Sequence, residues 1–270
     1  MTEPIQCFTP NSDPNKEQKI ADAAALIATA KHLVFFTGAG ISTESGIPDF
    51  RGPEGVWTLR DQGKKSKRKI SLATAQPNSG HFAIRQLQEL GLLKLLITQN
   101  TDNLHPRSGI HPDLLVQLHG NSMLMKCLNC NTFYDRKTIG WDMKKFGKGY
   151  RSQKIIPGQP RCPKCLGRII SSIINFGDPM PEDEMDIAME HSEKADVFVV
   201  VGSSLCVAPA YHYPEEAINK IPAAKLILIN LGETPFDDCA TIHISAKSGE
   251  TLEKIVTKVT SILKERDHPK

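Results

Sequence analysis

A doubly wound α/β fold on a parallel, Rossmann-like sheet, carrying a small inserted zinc-binding module, is predicted by three observations. Short continuous apolar runs recur along the chain, helical periodicity fills the gaps between them, and two Cys-x-x-Cys pairs interrupt the rhythm midway. Unbroken apolar runs are how strands buried on both faces read, and their alternation with helices is the pattern of a parallel sheet. The chain has material for this: 270 residues, 40% hydrophobic, 23% charged and 6% aromatic, describe an ordinary globular protein about twice the common domain size.

The elements follow in order. Ile20, Ala23, Ala24 and Ile27 keep the i, i+3, i+4, i+7 spacing of a helix, and His32–Thr37 is the first buried run. Residues 50–78 show no strand and hold the basic run Lys64, Lys65, Lys67, Arg68 and Lys69. Ala83, Leu87 and Leu90 lead to Gly91, a helix stop, and Leu92–Thr98 is the second run. Residues 121–172 lack apolar periodicity. A further helical face (Met185, Ala188, Met189) precedes the runs Asp196–Gly202 and Lys225–Asn230, and Leu252, Ile255, Val256, Val259, Ile262 and Leu263 make the last helix. The expected organisation is a mobile arm over 1–14, a sheet domain from 15–120 and 173–270, and the inserted module over 121–172.

Several classes are excluded. No apolar run approaches the ~20 residues of a membrane-spanning helix. The opening MTEPIQCFTPNSDPN lacks a basic start and apolar stretch, so cytoplasm or nucleus is the expected compartment. With 33 Lys and Arg against 30 Asp and Glu, the balance does not by itself imply nucleic-acid binding.

Thr37–Ser42 (TGAGIS) follows the first run directly, and its glycines would let backbone N–H groups approach a pyrophosphate. The third glycine of the dinucleotide fingerprint is missing, so a simple tight turn is the competing reading. Cys127, Cys130, Cys162 and Cys165 supply four soft ligands, enough to close a tetrahedral Zn²⁺ and leave no open position; unrelated thiols or a redox pair are the alternative. Cys206 and Cys239 are expected as core or neutral residues. Gln99–His105 and Leu118–Asn121 are polar clusters at run ends, where α/β proteins bind ligands, and histidine is the side chain suited to take a proton near neutral pH. His105 stands between a structural and a functional reading, and His81, His191, His212, His243 and His268 are expected to be structural. Gly202–Pro209 and Asn230 end the next two runs with groups that could bind ribose hydroxyls or simply shape loops.

Together, Gly38–Arg51 (GAGISTESGIPDFR), Gln99-Asn100-x-Asp102, Leu118–Asn121 (LHGN), the two cysteine pairs, Phe176-Gly177 and Gly202–Leu205 (GSSL) resemble the sirtuin family, in its motif order and across residues 17–265. Gly52–Trp57 and the short connection to Pro77 look most like its chromatin-associated branch. The resemblance implies NAD-dependent removal of acyl groups from protein lysines, yielding nicotinamide and O-acyl-ADP-ribose. It places NAD against Gly38, Ala39, Gly40, Ser42, Arg51, Gln99, Gly202, Ser203, Ser204 and Asn230. The nicotinamide end would meet Ile47, Asn100 and Asp102, with Phe50 shielding the reacting face. His119 would be the general base and Asn100 a catalytic partner. The acyl-lysine segment would pair between Phe176, Gly177, Asp178 and Val207, Pro209.

Two departures from the family pattern stand out. Asn103 replaces a glycine after the aspartate, and asparagine tolerates positive φ better than other side chains. Asp178 replaces a glutamate, one methylene longer. Competing functions are mono-ADP-ribosylation at the same site, or a non-enzymatic zinc-ribbon module binding nucleic acid. The run Lys64–Lys69 reads either as a solvated turn or as a contact for nucleic acid or chromatin.

Overall fold

The computed structural model describes residues 15–65 and 70–267. The expected arm over 1–14, Cys7, Lys67, Arg68, Lys69 and His268 lie outside the described residues. In chain order the elements are α1 (Lys16–Thr29), β1 (Leu33–Thr37), a 3-10 turn (Ala39–Ser45), α2 (Val56–Asp61), α3 (Ser79–Glu89), β2 (Leu93–Thr98), α4 (Leu104–Ser108), a short 3-10 turn (Pro112–Leu114) and β3 (Leu115–Gln117). There follow β4 (Leu124–Cys127), β5 (Phe133–Asp135), α5 (Met143–Phe146), β6 (Ile169–Ser171), α6 (Glu182–Lys194), β7 (Val197–Val201), α7 (His212–Asn219), β8 (Lys225–Ile229), β9 (Ile242–Ile244) and α8 (Ser248–Asp267).

Six strands form one sheet in the order β3-β2-β1-β7-β8-β9, every neighbouring pair parallel. Strand order runs outward in both directions from β1 and β7, so the crevice at their carboxyl ends is the switch point where such sheets bind dinucleotides. The continuous apolar runs have a direct cause. Leu33, Phe35, Val197, Val199 and Val201 face α1, α3 and α8, while Val34, Phe36, Phe198 and Val200 face α6 and α7. Both central strands, β1 and β7, are buried on both sides.

The four predicted strands and four predicted helices are all present. Asn78 caps α3 by accepting from the Gly80 N–H, and Gly91 follows its last turn at φ 73°, the left-handed position that favours glycine. Strands β3, β4, β5, β6 and β9 and helices α2, α4, α5 and α7 carry no such signal in the sequence, being too short to display a period. Both Cys206 and Cys239 are exposed, which corrects the expectation of a core position. Each sits in a turn after an element, where its Sγ donates to a nearby carbonyl (Ser204 and Phe236) instead of packing.

A second, antiparallel sheet of order β5-β4-β6 encloses a small core of Met125, Cys127, Trp141, Phe146, Cys162 and Ile169. It joins the large sheet beside β3. There Asn121 N–H donates to Ser172 Oγ at 3.1 Å, and that hydroxyl donates back to the Asn121 carbonyl at 2.8 Å.

Candidate active site

Four loops meet at the switch point, one each from the ends of β1, β2, β3 and β7. Glycine is obligatory where the first and last cross. A Cβ on Gly38 would lie 2.6 Å from the Gly202 carbonyl, and one on Gly40 would lie 2.6 Å from Gly202 Cα. Gly202 itself is at φ 61°. These glycines therefore answer first to backbone packing between two loops. The Gly40 N–H donates to the Gly202 carbonyl at 2.8 Å.

On that platform Ser42, Asn100 and Asp102 form one hydrogen-bonded group. Asn100 Nδ2 donates to the Gly38 carbonyl (3.0 Å) and Ser42 Oγ (3.3 Å), and the Ser42 hydroxyl donates to Asp102 Oδ2 at 2.7 Å. The other Asp102 oxygen accepts from the Leu104 N–H at 2.9 Å. Burial raises the Asp102 pKa above the usual carboxylate value, and these donors oppose the rise. Ile47 is buried beside this group against Ala75 and Leu104. Asn103 adopts φ 67°, and its side chain accepts from Asn121 Nδ2 at 2.8 Å, so the turn survives without glycine.

His119 follows β3. Its Nδ1 lies 3.0 Å from the Gln99 carbonyl. A carbonyl only accepts, so Nδ1 carries the proton and Nε2 is left as the basic nitrogen. Burial lowers its pKa from the ordinary histidine value, and the carbonyl bond opposes this. Gly120, at φ 74°, passes so close to Ser172 that a Cβ would sit 2.0 Å from its carbonyl oxygen, and Ile174 N–H donates to the His119 carbonyl at 3.1 Å. The segment leading to Phe176–Asp178 thus abuts the histidine. Phe176 is 86% exposed, and Asp178 closes the loop by accepting from the Asn175 N–H at 2.9 Å. Val207 and Pro209 lie in the turn after β7.

The remaining polar groups ring the crevice. Arg51 Nη1 donates to Ser204 Oγ at 3.3 Å while its guanidinium stacks 4.5 Å from the Trp57 ring, which also contacts Phe50. Ser203 Oγ donates to Gln99 Oε1 at 3.0 Å. The Asn230 amide turns to the Gly232 carbonyl. Two open clefts lie nearby, one of about 500 Å³ lined by Thr43, Ser45, Ile70 and Asn78 among others, and one of about 420 Å³ lined by Leu205, Cys206, Tyr211 and Phe236 among others. Amide, hydroxyl and guanidinium donors over a backbone platform suit a dinucleotide with two phosphates and two riboses.

His105 is structural and wholly buried: its Nε2 lies 2.9 Å from Thr37 Oγ1, and its ring is 4.8 Å from that of His81. Burial pushes His81 down to about 4 and His105 well below the ordinary value of 6.5. The folded state holds both neutral, whereas the unfolded chain takes up their protons near pH 6.5. Their contribution is therefore complete above pH 6.5 and lost as pH falls toward 4, and at ~1.4 kcal/mol per unit His81 alone contributes about 3 kcal/mol. Urea unfolding between pH 7.5 and 4.5 should show this decline, and His81→Phe should flatten it; equal slopes in both proteins would contradict the assignment.

The four paired cysteines converge as expected. Their sulfurs all lie within 4.8 Å of one another, with Cys127–Cys165 and Cys130–Cys162 each at 3.5 Å. A tetrahedral Zn²⁺ with bonds of ~2.3 Å needs sulfurs about 3.8 Å apart, so the donor set fits. The Tyr134 hydroxyl reaches Cys162 Sγ at 3.0 Å.

A parallel sheet with a polar switch-point crevice, joined to a four-cysteine module, defines an α/β dinucleotide-binding protein with a zinc site. The chain belongs to the Sir2, or sirtuin, family, whose model matches residues 60–209. It is 37% identical over 257 residues to the NAD-dependent protein deacetylase of Caldivirga maquilingensis, covering 89% of this chain and 94% of that protein. It is 37% identical over 267 residues to NAD-dependent protein deacylase 2 of Archaeoglobus fulgidus, covering 93% and 100%. A solved structure of Sir2Af2 bound to a myristoylated histone peptide superposes with TM-score 0.64 at 34% identity, covering 92% of this chain and 99% of that one. The family uses NAD, and the four clustered cysteines are placed to hold a zinc ion.

Proposed function

We propose that this chain removes acyl groups from protein lysines in an NAD-dependent reaction whose products are free lysine, nicotinamide and O-acyl-ADP-ribose. One observation carries the reading: His119 sits at the switch-point crevice with its tautomer set by the Gln99 carbonyl, presenting Nε2 as a base beside the Asn100–Ser42–Asp102 group. The names of the relatives support it. When bound, NAD supplies a ribose carbon electrophilic enough to exchange nicotinamide for the oxygen of an acyl group.

The chain's own residues do the rest. Asp102 and Asn100 hold the carboxamide of nicotinamide against Ile47, and Phe50 covers the reacting face once that ring has left. Gly38, Ala39, Gly40, Ser42, Arg51, Gln99, Gly202, Ser203, Ser204 and Asn230 hold pyrophosphate and ribose. His119 accepts a hydroxyl proton at Nε2. Phe176–Asp178 and Val207–Pro209 offer backbone to the peptide on either side. The zinc-binding unit, residues 121–172, is inserted between 15–120 and 173–270.

The test is a peptide panel carrying different lysine acyl groups, read by mass spectrometry with and without NAD. Loss of the acyl mass only with NAD is the expected result; an intact acyl group with ADP-ribose added to protein would overturn it. Asp102→Asn should fold normally yet slow nicotinamide exchange about 10–100-fold, because hydrogen bonds to a charged group contribute ~1.5–3 kcal/mol. Unchanged exchange would place the pocket elsewhere.

Two finer readings belong to the same proposal. The connection from Trp57 to Pro77 is short, which leaves the acyl channel open to longer chains, each extra buried CH₂ adding up to ~0.8 kcal/mol. A clear preference for acetyl over myristoyl peptide would refute this. Lys64, Lys65, Lys67, Arg68 and Lys69 would meet nucleic acid or chromatin, in keeping with a nuclear or cytoplasmic setting. The zinc unit supports such a partner: residues 121–172 carry eleven Lys and Arg against only Asp135 and Asp142, whose carboxylates accept from backbone N–H groups. DNA binding that is absent, or independent of salt, would remove the partner.

A further inference from the structure

Asn100 is held from behind by a row of groups that the reaction itself does not touch. Thr37 ends β1 and Thr98 ends β2, and the parallel register sets them side by side. Thr37 Oγ1 donates to Thr98 Oγ1 at 2.8 Å, and the Asn100 N–H donates to that same Thr98 hydroxyl oxygen at 3.1 Å. His105 completes the row, with Nε2 2.9 Å from Thr37 Oγ1. Thr37 has one proton and gives it to Thr98, so His105 Nε2–H is the donor in this contact. All three side chains are buried, each at 2% exposure or less. Beyond Asn100 the chain of bonds runs through Ser42 to Asp102.

We propose that Thr98, backed by Thr37 and His105, is a positioning residue for the nicotinamide end of the dinucleotide site, acting through the Asn100 backbone. The inference rests on the reading of Asn100 and Asp102 as the nicotinamide pocket. Physically, an Asn100 N–H without Thr98 would be a donor left unmatched at a buried strand end, and the peptide would rotate to find another acceptor. Rotation there moves the carboxamide side chain away from Gly38 and Ser42. Of the groups proposed for pyrophosphate and ribose, Gln99 alone shares this loop; the others are carried by other loops and keep their places.

Thr98→Val removes the hydroxyl at nearly constant volume, and Thr98→Ser keeps it. Calorimetry of purified protein with NAD and with ADP-ribose separates the two ends of the site without needing turnover. Thr98→Val should weaken NAD about tenfold, leave ADP-ribose within about twofold, and slow nicotinamide exchange by the same factor as NAD binding. Thr98→Ser should lie within about threefold of the parent on every measure. His105→Phe, which keeps a ring against His81 but loses the Nε2–H, should weaken NAD by less than Thr98→Val. Equal loss of NAD and ADP-ribose, or no loss of either, would overturn the proposal, as would a serine variant no better than valine. Failure of the parent protein to deacylate any peptide would instead count against the functional reading, and the binding measurements would still decide this one.

Discussion

Replacing His119 with alanine is expected to reduce deacylation by about 10²–10⁴-fold, the span a positioned general base contributes. The expectation comes from geometry more than from residue type. The Gln99 carbonyl fixes the proton on Nδ1, so Nε2 is a ready acceptor and no tautomer change precedes the proton transfer. Release of nicotinamide requires no proton acceptor, so exchange of labelled nicotinamide should persist in the alanine variant when acyl peptide is present. His119→Gln should fail equally at deacylation, since an amide cannot take the proton. The pH profile adds a second check. Burial lowers the His119 pKa, so the neutral base form is present at pH 7 and activity should fall only on the acid side, with a midpoint below 6.5. Deacylation near the parent rate, or exchange lost together with deacylation, would remove His119 from this role.

Much of this architecture is legible before any coordinates, and the reason is burial on both faces. Runs such as Asp196–Gly202 announce strands because α3 and α8 cover one side of the sheet and α6 and α7 the other. Strands β3 and β9 escape because three residues set no period. The site divides in the same way. The cysteine cluster is legible because its chemistry depends on residue type and local spacing, whereas Asp102 and His119 show in the sequence only as members of polar clusters and take their expected roles from the family resemblance. Thr37, Thr98 and His105 are not legible as a row, because their meeting depends on the register of two strands far apart in sequence. The glycines at 38 and 40 show a subtler limit: they point to close backbone approach, but the approaching group is the Gly202 loop. Asn103 marks the opposite case, where the tolerance of asparagine for positive φ anticipates the observed 67°.

Removing zinc is expected to unfold the small sheet outright and, through it, to disable His119. Its strands span only three or four residues, and its core holds six buried side chains, two of which are the ligands Cys127 and Cys162. So small a core supplies little stability, whereas structural zinc contributes ~10–16 kcal/mol of apparent binding free energy in comparable small sites. Cys127→Ser or Cys162→Ser should therefore lose the metal, reading close to one zinc per chain in the parent and none in the variant. The buried Trp141 should become solvated, shifting its emission to the red. The six-stranded sheet has its own two-sided core and should survive as a separate, later transition on heating. Catalysis should not survive, for a structural reason. Ser172, directly after β6, bonds both ways to Asn121, and its carbonyl lies where only glycine can stand at 120, so melting β6 frees the loop that aims His119. NAD should still bind the variant, because the Asn100–Ser42–Asp102 group is anchored on β1 and β2. Zinc-free protein with unchanged Trp141 emission and full deacylation would refute both the structural role of the metal and its link to the base.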